Sequence, residues 1–134
     1  MSKRNKLSKF EDIMSYPNVY QNFSPKEIKP MGQGGKVVQL KGKWAEHFGD
    51  QKPITLELAC GRGEYTVQLA RDYSDRNFIG VDVKGARIWK GATMALSEGL
   101  DNVAFMRTKI ELIEKFIAPN EISEIWITFA DPFL

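Results

Sequence analysis

The sequence has few of the side chains that build disulfides or metal centres, since Cys60 is its single cysteine and His47 its single histidine. A lone cysteine excludes an internal disulfide and fits a reducing, cytoplasmic location. We expect no metal site, because His47 has no companion at metal-ligand spacing, and we place this histidine at the surface. No apolar run approaches the roughly 20 residues that span a bilayer, and none follows the first residues as a secretory signal requires. We therefore expect no association with a membrane.

Charge is spread unevenly along the 134 residues, although the formal net charge is only +2. Residues 1–52 carry ten Lys and Arg against five Asp and Glu, whereas residues 53–134 carry nine against twelve. A basic segment beside a mildly acidic body is a hint of nucleic-acid binding. A solvated terminus explains the same charge equally well, so both interpretations stay open.

Local patterns predict an α/β fold. Three prolines and the cluster Gly32-Gln33-Gly34-Gly35 interrupt residues 1–36, so no long element is predicted there. Beyond Pro53, apolar runs alternate with helical periodicity. Strands are predicted at 54–58, 78–81, 103–106 and 125–129, and helices at 45–48, 64–72, 84–99 and 110–116. Strands that alternate with helices predict parallel pairing with right-handed crossovers.

The most informative pattern is a glycine-rich turn between two carboxylates. Glu57 lies in the first regular strand, the run Ala59-Cys60-Gly61-Arg62-Gly63-Glu64 follows it, and Asp82 ends the next strand. Glycines let the backbone approach a ligand without a Cβ clash. An acid about 20 residues beyond such a turn is spaced to reach ribose hydroxyls. We interpret the pattern as a site for an adenosine-containing cofactor.

S-adenosylmethionine suits this turn better than a dinucleotide does. Thr66 stands where the dinucleotide fingerprint has a third small residue, and Glu64 would place a negative charge beside a pyrophosphate. S-adenosylmethionine has no phosphate, and its ammonium and sulfonium groups suit nearby carboxylates. A dinucleotide site and a tight turn without a ligand stay open as alternatives on these residues alone.

Further segments end strands at the same predicted rim of the sheet, where ligands of open α/β sheets bind. These are the Thr108-Lys109-Ile110 corner and Ala130-Asp131-Pro132. Lys84, Arg87 and Lys90 share one face of the following helix, where they either contact nucleic-acid phosphates or form a solvated surface. Both interpretations are equally weighted by the sequence.

Several of these stretches are similar to a known family. The run from Leu56 to Glu64 resembles the first motif of class I methyltransferases and, more narrowly, that of the bacterial tRNA (guanine-N(7))-methyltransferase family, whose second motif residues 78–82 resemble. Residues 98–103 and the Thr128-Phe129-Ala130-Asp131-Pro132 motif are similar to the bacterial tRNA (guanine-N(7))-methyltransferase family. Residues 5–19 also resemble its N-terminal extension, so the similarity covers most of the chain.

This resemblance implies a Rossmann-like parallel sheet of the class I type, first half only, with about four strands. Residues 1–52 would form a basic extension and residues 53–134 the N-terminal part of the methyltransferase domain. The implied reaction moves a methyl group from S-adenosylmethionine to the 7-nitrogen of a guanine in the tRNA variable loop. The implied cofactor residues are Glu57, Ala59, Gly61, Gly63, Asp82, Lys109 and Ile110. Asp131 is implied as the residue nearest the chemistry, and Asp131 and Pro132 as contacts of the substrate base.

Three features depart from that family. Ala59 replaces a usual glycine, Lys109 replaces a frequent acid, and the sequence stops at Leu134, just past the Asp-Pro motif. We therefore expect the chain to be unstable alone, self-associated through an exposed sheet edge, or a fragment of a longer protein. Two alternatives stay open for its function, a non-catalytic S-adenosylmethionine-binding remnant and a small-molecule methyltransferase.

Overall fold

A computed structural model describes residues 5–127 as a parallel five-stranded sheet with helices on both faces. The sheet order is β1-β4-β3-β2-β5. The strands are β1 (Val19–Gln21), β2 (Ile54–Leu58), β3 (Asn77–Asp82), β4 (Val103–Arg107) and β5 (Glu124–Ile127). The helices are α1 (Lys6–Ser15), α2 (Trp44–Phe48), α3 (Glu64–Asp72) and α4 (Gly85–Ser97), with 3₁₀ turns at Gln33–Gly35 and Ile110–Lys115. The predicted α/β class is confirmed, and residues 128–134 with the Asp131–Pro132 prediction lie outside the described part.

Alternating strand residues build a separate core on each face of the sheet. Phe78 and Phe105 contribute to one core, which α1, α3 and α4 cover. Ile79 and Met106, their neighbours along the strands, contribute to the other core. Trp44 of α2 fills that second core and is fully buried, and its indole Nε1 donates to the Phe116 carbonyl at 2.9 Å. The sheet is thus the middle layer of three.

The N-terminal segment contains more regular structure than its prolines predicted. Helix α1 precedes all three prolines and begins at Asn5, whose Oδ1 accepts from the Ser8 amide at 2.8 Å. It ends at Tyr16, which takes an extended conformation because Pro17 follows it. Strand β1 then pairs in parallel with β4, with Val19 opposite Phe105. The prediction of four strands was therefore one short among the described residues.

Smaller differences concern element ends and one helix type. Strand β3 ends at Asp82, the acid expected at its end, and strand β4 extends one residue beyond its predicted carboxyl end, to Arg107. The helix predicted at 110–116 is instead a 3₁₀ segment that ends at Lys115. None of the helices between residues 5 and 127 is both long and apolar enough to cross a membrane.

Candidate functional site

The glycine-rich turn lies where the strand order of the sheet reverses. The chain runs outward from β2 through β3 to β4, and then places β5 on the opposite side of β2. The turn leaves the carboxyl end of β2 at this point and leads into α3. In open α/β sheets, ligands bind in the crevice outside such a reversal. Topology therefore assigns the candidate site to the segment that the sequence singled out.

Asp82 holds the turn from the neighbouring strand. Its Oδ2 accepts from the backbone amide of Gly61 at 2.9 Å, and its Oδ1 accepts from the amide of Lys84 at 2.9 Å. The side chain is only 5% exposed. An ionised carboxylate has about four lone-pair sites, so two acceptor positions are left for further donors such as hydroxyl groups. The structure thus brings Gly61 and Asp82 together, as predicted, and adds a positioning role for Asp82.

Glu57 lies deeper than a rim residue, on β2 beneath the first turn of α3. It is 2% exposed, and the Thr66 hydroxyl donates to its Oε1. Thr66 had entered the sequence argument only as the residue that breaks a dinucleotide fingerprint. In the structure its hydroxyl gives the buried Glu57 carboxylate a hydrogen-bond donor, which a carboxylate out of contact with water needs.

Cys60 lies in the turn between the two carboxylates. Burial and then the charges of Asp82 and Glu57 raise the pKa of the Cys60 thiol well above its usual value. The thiol therefore stays protonated near neutral pH, which makes it a poor nucleophile. The same charges indicate that both carboxylates act on one small region around the turn.

Gly63 is required by close packing as well as by its backbone conformation. Its φ is +74°, and an added Cβ would lie 2.6 Å from Cε1 of Phe105. Gly91, in the interior of α4, faces the same ring: its Cβ would lie 2.9 Å from Cζ of Phe105 and 2.8 Å from the Arg62 carbonyl. Phe105, Gly91 and Thr66 are site residues that the sequence argument missed. The one available signal was a glycine inside a helix, which marks close approach.

Ala59 and Gly61 both have left-handed backbones in the turn. Gly61 has φ +60°, and an added Cβ would meet no atom within 4 Å. Ala59 has φ +57°, a left-handed conformation that is uncommon for any residue with a Cβ. The turn therefore keeps the backbone shape of a glycine at position 59, and free space adjoins Gly61.

The corner after β4 is tied to the same rim. The Thr108 amide donates to the Asp82 carbonyl at 3.1 Å, and Lys109 and Ile110 follow directly. Lys109 is exposed, whereas Ile110 is partly buried and packs against the second core. The backbone of this corner therefore adjoins Asp82, with the Lys109 side chain in solvent and the Ile110 side chain against the second core.

Basic residues of α4 border this rim. Lys84, Arg87 and Lys90 are all exposed, and Lys90 approaches Glu64 to 3.5 Å. Lys84 and Arg87 form no ion pair within residues 5–127.

Three of the four predicted rim segments, the glycine-rich turn, Asp82 and the corner after β4, are adjacent because Asp82 bonds to the other two. The fourth segment, with Asp131, lies outside the described residues.

Comparison with known proteins assigns the chain to a family. A family described as "Putative methyltransferase" matches residues 51–134. The chain belongs to this methyltransferase family. The predicted recognition is confirmed by this match and by the names of the curated relatives.

Curated relatives carry a more specific name. A protein from Christiangramia forsetii named tRNA (guanine-N(7)-)-methyltransferase is 56% identical over 98% of this chain and 57% of its own length. A protein of the same name from Bacteroides thetaiotaomicron is 53% identical over 96% of this chain and 49% of its own length. The chain spans about half the length of the curated relatives it matches.

A solved structure shares the fold. The match to the crystal structure of WbdD covers 90% of this chain and 28% of the WbdD chain, with 15% identity and a TM-score of 0.50. The aminoglycoside resistance methyltransferase NpmB1 covers 61% of this chain and 42% of its own, with 23% identity and a TM-score of 0.46. At these identities only the fold is compared.

Proposed function

We propose that this chain takes part in transfer of a methyl group from S-adenosylmethionine to the 7-nitrogen of a guanine in the tRNA variable loop. The observation that carries the proposal is 56% identity across 98% of the chain to a relative named for that reaction. By the same argument we propose tRNA as its partner and the cytoplasm as its location.

The rim fits the proposed methyl donor. Two free acceptor positions on Asp82 suit the ribose hydroxyls, and the open space at Gly61 lets the ligand approach the backbone. Ile110 and the stem of Lys109 border the position proposed for the adenine. Glu57 is buried beneath the turn, so we propose that it acts on the methionine end through the turn and Thr66.

The proposed reaction requires little proton transfer. The 7-nitrogen of guanine carries an in-plane lone pair at neutral pH, so no general base has to remove a proton first. S-adenosylmethionine supplies an electrophilic methyl group on a cationic sulfur when bound. The task of the protein is then alignment of the reactants, a contribution of roughly 7–11 kcal/mol in well-oriented systems. We propose that the Asp131 carboxylate accepts hydrogen bonds from the edge of the base and stabilises the developing positive charge. Pro132 would favour an extended backbone at Asp131, the residue before it.

A methyl-transfer assay on an unmodified tRNA transcript with labelled S-adenosylmethionine tests this function. We expect label at the 7-nitrogen with the wild-type chain and its loss in Asp131→Ala, with donor affinity unchanged in calorimetry. Label at another atom, or equal activity of both chains, contradicts the proposal.

A second candidate is a non-catalytic protein that binds S-adenosylmethionine. It rests on the donor side of the site alone, to which Asp82 and the open space at Gly61 contribute. Uptake of the donor with no label on any tRNA would support this candidate instead.

A further inference from the structure

An arginine is enclosed by two aromatic rings at the carboxyl end of β4. The guanidinium carbon of Arg107 lies 5.0 Å from the ring centroid of Phe10 and 5.3 Å from that of Phe23. Arg107 Nε donates to the Val83 carbonyl at 3.3 Å, and its Nη1 donates to Gln21 Oε1 at 3.1 Å. We call Phe10, Phe23 and Arg107 the arginine stack.

The arginine stack holds a cation without a counter-charge. Arg107 forms no ion pair with any carboxylate in the part of the chain from residue 5 to 127, and partial burial lowers its pKa. Lys6 adds a second cation, with Nζ 5.9 Å from the Phe10 ring centroid. Taking a cation out of water without an anionic partner costs free energy. An anion bound at the stack would offset part of this cost.

The same cluster leaves an aromatic ring in solvent. Phe23 is 51% exposed. Its backbone is held beside β4, because the amide of the preceding residue, Asn22, donates to the Arg107 carbonyl at 2.9 Å. A ring held beside an arginine is a platform on which a nucleobase can stack. A stacking surface and a cation without a carboxylate partner together match an unpaired nucleotide, which carries a base and a phosphate.

The stack lies beside the candidate methyl-donor site. Arg107 pairs with Asp82 across β4 and β3, and Phe10 contacts the position of Gly85, three residues beyond Asp82. Asp131, which we propose to contact the target guanine, follows β5 in the sequence. Strand β4 is three strand spacings from β5, a separation of roughly 14 Å. A nucleotide on the stack would therefore be a neighbour of the target guanine along the RNA and not the target itself.

We propose that the arginine stack binds an unpaired nucleotide of the RNA substrate, with its base on Phe23 and its phosphate on Arg107 and Lys6. This rests on the proposed function, which supplies RNA as the substrate. Binding energy from such a remote contact can help to hold the reacting base in line.

Phe23→Ala tests the base contact, and Tyr73→Ala is its matched control. Both rings are 51% exposed, but Tyr73 follows α3 on the side of the sheet where the strands begin. The probe is a fluorescent unmodified tRNA transcript with a guanine in its variable loop, measured by anisotropy. We expect Phe23→Ala to weaken tRNA binding about 5- to 150-fold, the range for loss of one base–aromatic stack. Tyr73→Ala should stay within about twofold of wild type, and both variants should bind S-adenosylmethionine as the wild type does.

Arg107→Gln tests the phosphate contact, with R107K as the variant that keeps the charge. The salt dependence of tRNA binding should become shallower by about one phosphate contact in Arg107→Gln and stay unchanged in R107K. If wild type binds tRNA and Phe23→Ala binds it equally well, the stack is not an RNA site, although the proposed function stands. A wild-type chain that binds no tRNA overturns both.

Discussion

Alanine at Gly63 should destabilise the fold far more than alanine at Gly61, although both glycines have left-handed backbones in the same turn. Their φ angles are +74° and +60°. An added Cβ at Gly63 would lie 2.6 Å from Cε1 of Phe105, a fully buried ring, whereas the one at Gly61 meets nothing within 4 Å. The pair therefore separates backbone strain from steric overlap.

The magnitude follows from these two contributions. A residue with a Cβ costs about 1–2 kcal/mol in the left-handed region, and this applies to both variants. Overlap in a well-packed core costs about 1–3 kcal/mol more, and this applies to Gly63→Ala alone. The entropy lost by the unfolded chain is the same for both substitutions and cancels between them. Gly63→Ala should therefore be about 1–3 kcal/mol less stable than Gly61→Ala.

Urea unfolding followed by far-ultraviolet circular dichroism measures this difference in the free energy of unfolding. Calorimetry with S-adenosylmethionine adds an opposite expectation, because a methyl group at Gly61 would occupy the space proposed for the ligand. Gly61→Ala should lose donor affinity while it stays well folded. Equal destabilisation by the two substitutions, or greater destabilisation by Gly61→Ala, would refute the packing argument.

Asp82→Asn should lose about 1.5–3 kcal/mol of stability, because its amide group cannot accept from both Gly61 and Lys84, and should bind S-adenosylmethionine at least tenfold more weakly in calorimetry; Asp75→Asn, an exposed control, should do neither. Burial lowers the pKa of His47 below 6.5, so the unfolded chain binds the proton more readily and the free energy of unfolding should fall as pH drops through 6.5; proton NMR titrates the single imidazole, and a value at or above 6.5 contradicts this. Ile125 and Ile127, 59% and 62% exposed on β5, should promote self-association that Ile127→Lys reduces in analytical ultracentrifugation; a monomeric wild type at every concentration argues against it.

Local signals predicted the central βαβ units well. The alternation of apolar runs with helical periodicity predicted β2, α3, β3, α4 and β4, and the structure brings the glycine-rich turn and Asp82 to the same rim, as the sequence predicted. These elements are long enough for their periodicity to show. The number of residues between the glycine-rich turn and Asp82 can also be read directly from the sequence.

The parts that escaped prediction depend on distant partners. Strand β1 has three residues, too few for a period-two pattern, and it exists through pairing with β4 more than 80 residues away. Helix α1 was hidden by prolines that in fact follow it, although Phe10 and Ile13 show helical spacing. Phe105 reads as an ordinary strand residue, and only three-dimensional packing makes it the floor of the turn.

The predicted exposure of His47 was also wrong. The side chain was expected in solvent, but it is partly buried and bonds through Nδ1 to the Tyr20 hydroxyl at 2.5 Å. Tyr20 belongs to β1, so the environment of His47 could not be predicted without that strand. One missed strand thus led to one misplaced side chain.

The ring of Phe105 has a consequence for how this sequence can change. Added Cβ atoms at Gly63, Gly80 and Gly91 would lie 2.6 Å, 2.9 Å and 2.9 Å from its atoms. Three glycines from three different elements therefore share one obstacle. In a laboratory selection, a larger side chain at Gly80 should be recovered only in clones whose Phe105 has already been replaced by a smaller residue, whereas Gly91 stays restricted by the Arg62 carbonyl at 2.8 Å and Gly63 by its φ of +74°.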